Sequence, residues 1–320
     1  MPARPVLSYL QLLLLIFPVF VLIAIGVVLR RVHWVEGAAE ASMIRLVINL
    51  CMPCLIFDSV VGNEALRGAG NLLLPPLVGF GTSVLTIGAA FYFGKLLGLG
   101  VGSGRRTFAL SAGLANYGYL PLPIMAAMFG PESRGVLLVH NIGVEAAVWT
   151  VGVLVLSGLS LRESWRRLLS PIVIALVVSV AVNLLGFGPR LPGWLMDLVR
   201  ALGGCAIPLG LLMTGVNLAN HLGEPQALFE PKVSLGSMLL RLGLLPLAFL
   251  ALARWLPCSV ELKRVIVVQG AMPCAVIPII IAQHFGGRPL VAVQVVLGTT
   301  ALAVVATPLW LRAGLAWVGV

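Results

Sequence analysis

Charge is what this chain has least of. Asp, Glu, Lys and Arg make up 10 % of its 320 residues, against roughly 25 % in an average soluble domain. Too few charges remain to cover a water-facing surface, which excludes an ordinary soluble globule. Acid is scarcer than base, with 11 Asp and Glu against 21 Lys and Arg and a formal net charge of +10. The acidic clusters that prenyl transfer needs are therefore missing. The five cysteines (Cys51, Cys54, Cys205, Cys258 and Cys274) do not have the close three- or four-ligand spacing of a zinc site. Cys51-Met52-Pro53-Cys54 has redox spacing but neither a βα setting nor a second cysteine pair, so it reads as structural. Gly98, Gly100, Gly102 and Gly104 lack a following Gly-Lys-Ser/Thr and form no phosphate loop. No basic stripe interleaved with aromatics is present either, which excludes a nucleic-acid partner.

What fills the chain instead is hydrocarbon. Hydrophobic residues make up 60 % and the mean hydropathy is +1.07. A membrane-spanning helix needs about 20 mostly apolar residues. The apolar runs predict ten, at 8–29, 40–61, 72–97, 107–129, 135–158, 170–187, 196–219, 233–256, 262–284 and 290–314. The expected fold is an all-α polytopic membrane protein with the lipid bilayer as solvent. The first run follows Arg4, is too long for a signal peptide and ends at Arg30-Arg31 without a small-residue cleavage site. The most basic connection is 160–170, with Arg162, Arg166 and Arg167. Nine Lys and Arg fall on the side of the termini and twelve, Arg241 among them, on the other. The positive-inside rule then puts the 160–170 loop in the cytoplasm and both termini outside, in the cell's plasma (inner) membrane. Arg45 and Arg200 are expected to snorkel to their interfaces.

A repeat is written into the spacing. Arg45 and Pro53 recur as Arg200 and Pro208, and Pro123 recurs as Pro278, each 155 residues later. Two halves of five spans, 1–159 and 171–320, flank the short 160–170 loop. An odd number of spans per half makes the second copy inverted, the arrangement of many secondary transporters. The fourth and ninth spans are also unusual. One carries Asn116, Gly118, Pro121 and Pro123, the other Gly270, Pro273 and Pro278. Proline removes a backbone donor and clashes with the preceding turn, so both helices should unwind there. Inside a membrane such breaks persist only when buried in protein or lining a cavity. Matched breaks in two inverted halves point to a transport site. Half-helix N-termini facing one cavity attract an anion through dipoles and amides, and Asn116 can donate to a carboxylate. With no Lys or Arg in the middle of either broken span, the crossover is expected to be uncharged.

Glu145 stands out as the only carboxylate well inside a predicted span. A charge there costs at least about 2.5 kcal/mol on insertion scales, so it should face the interior as a candidate proton carrier. Asn141, four residues earlier, shares its helix face, and His140 adjoins it. These three form the candidate ion-coupling set. Asp58, near the end of the second span, is expected to reach water.

Asn116-Tyr117-Gly118-Tyr119-Leu120-Pro121-Leu122-Pro123 resembles the N-x-G-[FY]-x-x-x-P pattern of the auxin efflux carrier family. That family includes the plant PIN-formed auxin carriers and bacterial carriers assigned to malate or malonate. Ile48 through Phe57 (INLCMPCLIF), Ile207-Pro208-Leu209-Gly210, Ala271-Met272-Pro273 through Pro278 to Ala282, and Thr307-Pro308-Leu309-Trp310 are similar to the family as well. The resemblance covers essentially the whole chain. It implies ten helices in two inverted five-helix repeats, with the broken fourth and ninth helices crossing. It further implies a scaffold of spans 1, 2, 6 and 7, through which a homodimer would form, and a transport domain moving against it. The substrate site it implies takes in Asn116, Tyr117, Gly118, Pro121, Pro123, Pro273 and Pro278. Plant members carry a proline before the crossover asparagine, where this chain has Ala115, and many have a long central loop that is about ten residues here. Both departures argue against auxin as the substrate.

The expected function is therefore a secondary carrier of a small organic anion, a carboxylate, by alternating access. No cofactor is implied; a proton or sodium is the candidate coupling ion. A sodium-coupled bile-acid-type symporter or a cation/proton antiporter is the nearest alternative, although an antiporter would want paired acids near the crossing. An intramembrane protease would need a serine–histidine signature that Ser111 and His140 do not form. A non-transporting membrane sensor is the alternative of another class.

Overall fold

The computed structural model describes residues 7–157, 170–222 and 229–320. The basic stretch with Arg162, Arg166 and Arg167 lies outside the described residues, as does Arg4. Among the described residues all regular structure is helical apart from one isolated β-bridge. We number the helices α1 (Tyr9–Arg31), α2 (Gly37–Val60), α3 (Ala69–Leu96), α4 (Arg105–Gly113), α5 (Pro121–Leu156), α6 (Pro171–Leu184), α7 (Gly193–Ala219), α8 (Pro231–Trp255), α9 (Val260–Ala271), α10 (Ile277–His284) and α11 (Pro289–Val318). Seven of them (α1, α2, α3, α5, α7, α8 and α11) are long and apolar enough to cross a membrane. The protein is a polytopic, all-helical membrane protein.

Local chemistry sets the helix ends. Helix α1 opens on a capping box between Ser8 and Gln11 and closes on Arg30 and Arg31, whose charge complements the negative end of the helix dipole. Its 23 residues rise about 35 Å, enough for a hydrocarbon core of about 30 Å. Two helices contain π-helical stretches just ahead of a proline: Val47–Cys51 before Pro53 in α2, and Leu239–Leu244 before Pro246 in α8. A proline cannot donate back along the helix, and a widened turn accommodates the misfit. The expected loop between 129 and 135 is absent. The chain bends within α5 at Gly130 (φ 79°, ψ −172°), directly before Pro131. Glycine tolerates that left-handed φ and proline stops the preceding helix from continuing.

Packing separates two groups of helices. Helix α1 lies along α7, and α2 packs on α6 and α7. Helices α3, α4, α5, α8, α9, α10 and α11 pack among themselves; α1 also touches α11 and α5, and α2 and α6 touch α5. Glycines permit the closest approaches. A Cβ on Gly26 would run into the Leu212 carbonyl, and one on Gly215 into the Ile23 carbonyl, so α1 and α7 touch backbone to backbone. Helices α3 and α5 repeat the device: Gly79 meets the His140 carbonyl and Gly143 meets that of Pro76. Between helices already surrounded by lipid, such small-residue contacts are a main source of association. Gly143→Leu should cost about 1–3 kcal/mol or more, because the obstacle is backbone that cannot rotate away. The expected result is a lower melting temperature in detergent, whereas Gly81→Leu, which meets open space, should melt like the parent.

Candidate functional site

Two interrupted helices meet at the centre of the molecule. Helix α4 stops at Gly113 and α5 starts at Pro121; α9 stops at Ala271 and α10 starts at Ile277. The two breaks run antiparallel, Ala115 opposite Cys274. The Asn116 N–H donates to the Pro273 carbonyl (2.7 Å) and the Ala275 N–H to the Leu114 carbonyl (3.0 Å). Unwinding a helix in a membrane frees polar groups that must find partners, and here each break supplies partners for the other. Side chains supply more. Asn141 Nδ2 donates to the Tyr117 carbonyl (2.6 Å), Thr307 Oγ1 to the Ala271 carbonyl (2.9 Å), and the Cys274 N–H donates to Thr299 Oγ1 (3.2 Å).

In front of the crossing lies a cavity of about 220 Å³. Its wall includes Asn116 through Tyr119 from the first break and Ala275, Val276 and Ile277 from the second. Opposite them stand Ile44, Val47, Ile48 and Met52 of α2, with Gly210, Met213, Thr214 and Asn217 of α7. Tyr119 rests its ring against Gly210, where a Cβ would not fit. Of the predicted substrate residues, Asn116, Tyr117 and Gly118 line the cavity. Pro121, Pro123, Pro273 and Pro278 shape the ends of the breaks without lining it. Those prolines also remove donors: Pro121 and Pro123 have no N–H, and that of Leu122 is bonded to the Gly118 carbonyl (3.2 Å). The α5 terminus thus keeps its dipole but offers few amides. Asn116 Oδ1 accepts from the Leu120 N–H (3.5 Å), which leaves its Nδ2 group as the donor facing the cavity. Sequence reasoning missed Tyr119, Thr214 and Asn217, whose place depends on how α7 packs.

Glu145 lines the same cavity. Tyr117 Oη donates to its Oε1 (2.8 Å) and Trp149 Nε1 to its Oε2 (2.9 Å). Asn141, on the same face as expected, joins this group by its bond to Tyr117. That bond orients the amide so that Asn141 Oδ1 meets His140 Nδ1 at 3.3 Å. In the neutral imidazole, the His140 Nδ1–H then donates to Asn141 Oδ1 and Nε2 carries the lone pair. His140 therefore faces away from the large cavity, into a second one of about 10 Å³ behind the crossing, room for about one water.

The small cavity overturns the expectation of an uncharged crossover. Arg241 of α8 lines it and is completely buried (0 % exposed). Its Nε donates to the Met272 carbonyl (2.8 Å) and Nη2 to the Gln269 carbonyl (2.7 Å), capping the C-terminal end of α9. The guanidinium carbon lies 5.5 Å from the Phe249 ring centroid. Counting Arg241 with the cytoplasmic charges ignored its depth. It stands eight residues inside the span that begins at 233, about 12 Å along a helix, and that arithmetic could have found it.

One further expectation is corrected and one buried acid is added. The addition is Glu40, in the first turn of α2, which is buried and accepts from Asn217 Nδ2 (3.4 Å) and Asn220 Nδ2 (2.9 Å) at the α7 end. Asp58 does not simply reach water. It pairs with Arg134 (3.3 Å) and Arg200 (3.4 Å). Nearby, Asn63 Nδ2 donates to the Pro131 and Glu132 carbonyls (3.1 and 3.3 Å), and Asn183 Nδ2 donates to the Asn63 carbonyl (3.0 Å). This polar belt joins the end of α2, the end of α6 and the Gly130 bend. Among the described residues no group of three or more His, Cys, Asp and Glu gathers as metal ligands.

The crossing can be tested directly. Ala115 and Cys274 are a non-hydrogen-bonded antiparallel pair, for which Cα atoms lie about 4.5 Å apart, within the disulfide range. Ala115→Cys should therefore crosslink to Cys274 under a membrane-permeant oxidant. The check is a shift of non-reduced fragments after cleavage between them, lost in Ala115→Cys/Cys274→Ser.

Comparison with known proteins points to membrane transport. The family model described as membrane transport protein matches residues 12–163 and 157–311. A protein of Methanothermobacter thermautotrophicus described as an uncharacterized transporter is 27 % identical over 301 residues, 92 % of this chain and 96 % of its own length. These relationships mark a transport protein and not an enzyme. The chain belongs to the membrane transport protein family, of the auxin efflux carrier type.

Proposed function

We propose that the protein is a secondary carrier of a small organic anion, a mono- or dicarboxylate, working by elevator-like alternating access in the plasma membrane. One observation carries this reading: breaks from both halves of the chain form one wall of a single cavity of about 220 Å³. Two helix N-termini, of α5 and α10, begin at that wall and favour negative charge. Asn116 supplies a neutral donor, and the aliphatic side chains of α2 suit the hydrocarbon part of a small acid. The cavity is below the 300–1,000 Å³ typical of drug-sized ligands.

Two inverted halves, 1–159 and 171–320, with ten spans in all, account for the layout. In support, Gly130 and Gly286, 156 positions apart in the chain, both adopt positive φ (79° and 73°). Each ends the second piece of a broken helix. In this reading α1, α2, α6 and α7 are the scaffold and the remaining helices move. The cavity lies between the first half of α2 and the second half of α7, toward the side where α1 ends and α2 begins. The Asp58 belt lies at the other end of those helices. This is the arrangement of a carrier open on the side of the α1–α2 connection, the cytoplasm by the charge count, and latched on the opposite side, where both termini lie.

Glu145 supplies the coupling. An ionised Glu145 and a substrate carboxylate sharing an enclosed cavity repel strongly, so the acid binds together with a proton on Glu145. Counterflow in proteoliposomes with propionate, phenylacetate, malonate and succinate tests both parts. Uptake should rise as the pH of the loading side falls, and Glu145→Gln should transport without that dependence. Asn116→Ala should raise KM roughly tenfold to a hundredfold, the loss of one hydrogen bond to a charged ligand. Absence of carboxylate uptake by the parent protein would sink the proposal, and unchanged pH dependence in Glu145→Gln would remove Glu145 from the mechanism.

A further inference from the structure

Among the described residues, Arg241 is the one cationic side chain that lines a cavity at the crossing, and its charge has no carboxylate partner. None of the ion pairs among the described residues includes it; they join Arg134 and Arg200 to Asp58, and Arg200 to Asp197. Two of its nitrogens are bonded to carbonyls, while Nη1 has no hydrogen-bond partner and shares the small cavity with the equally unpartnered Nε2 groups of Gln269 and His140. His140 presents a lone pair there and adds no compensating negative charge. A buried guanidinium without a counter-anion is costly; a single water in the small cavity can bond Nη1 but brings no opposite charge. Carbonyl dipoles offset part of that cost. An anion arriving nearby offsets more.

We propose that Arg241 is the charge-selecting residue of the carrier: from behind the crossing it supplies the positive charge that favours an anion in the cavity in front. The connection is short. Arg241 binds the Met272 carbonyl, and the next carbonyl along the chain, of Pro273, binds the Asn116 N–H. Consecutive Cα atoms lie about 3.8 Å apart, and a hydrogen bond of under 3 Å stands at either end, so the guanidinium is roughly 10 Å from the Asn116 N–H. At about 10 Å and an effective dielectric of about 20, one unit charge changes the affinity of another by roughly tenfold to twentyfold. Arg241 does not touch the substrate. It acts through the field it sets up across two hydrogen-bonded peptides, and its position inside the π-helical stretch Leu239–Leu244 turns it toward the crossing. Such stretches recur at functional sites. This inference rests on the carboxylate-carrier reading and adds to it the source of charge selectivity.

The test compares each acid with its uncharged amide: propionate, phenylacetate, malonate and succinate against the corresponding amides, as counterflow substrates in proteoliposomes. Arg241→Gln, which keeps a side-chain donor for the carbonyls but loses the charge, should raise KM for the acids roughly tenfold and leave KM for the amides in place. Arg241→Lys keeps the charge and should keep the acid-to-amide ratio of the parent, even if its melting temperature falls. Equal losses for acid and amide in Arg241→Gln would make the residue structural only and overturn the inference. So would a collapsed ratio in a folded Arg241→Lys. Failure of the parent protein to carry any of the acids would overturn the functional reading itself. Normal acid transport with an unchanged ratio in Arg241→Gln would overturn only the role given to Arg241.

Discussion

The whole structure depends on two short backbone segments that satisfy each other's hydrogen bonds. A helix that unwinds in hydrocarbon exposes amides and carbonyls that water cannot reach, each costing several kcal/mol if left alone. Here the break after Gly113 and the break after Ala271 lie antiparallel and exchange two bonds. The leftover groups are taken up by Asn141, Arg241, Thr299 and Thr307. The breaks are therefore stable only together. Because they come from opposite halves of the chain, their pairing draws α4, α5, α9 and α10 to one point and leaves a cavity beside it.

The cavity's two sides differ in kind. The wall made by the crossing sets Asn116, Tyr117 and Tyr119 beside the apolar Ala275, Val276 and Ile277 and is tied into α3–α5 and α8–α11. The facing wall, from α2 and α7, is largely aliphatic, with glycine at the contact with Tyr119. An aliphatic surface facing the braced crossing forms few directional bonds across the cavity. At the far end the contact changes character: Asp58 and Asn63 reach Arg134 and the bend at Gly130 through charge and amide groups. Those bonds are partly accessible and can exchange with water.

The electrostatics follow the same division. Glu145 stands in the large cavity, held by Tyr117 and Trp149, and Arg241 stands behind the crossing, held by carbonyls. One acid and one base are kept apart by the two breaks, so neither neutralises the other in a contact ion pair. A ligand carboxylate placed between them meets attraction from one side and, unless Glu145 carries a proton, repulsion from the other. This tension is available to a carrier that binds an anion and a proton together.

The sequence by itself determined a good deal. Scarce charge and long apolar runs required a membrane protein, because composition is a property no folding can change. The prolines around 116–123 and 273–278 located both breaks, since a missing N–H disrupts a helix wherever it is placed. Glu145 and Asn141 were legible as a helix face from their spacing alone. Other features were decided only by the tertiary structure. Arg241 is embedded in an apolar run like any snorkelling arginine, and nothing local says that it caps α9 across the molecule. Glu40 and Asp58 look like helix-end acids until Asn220 and Arg134 are brought to them. Tyr119, Thr214 and Asn217 join one cavity because α7 packs opposite the crossing. Periodicity and proline act along the chain and can be read there. Partnership of buried polar groups acts between distant segments, and only the packed structure brings the partners together.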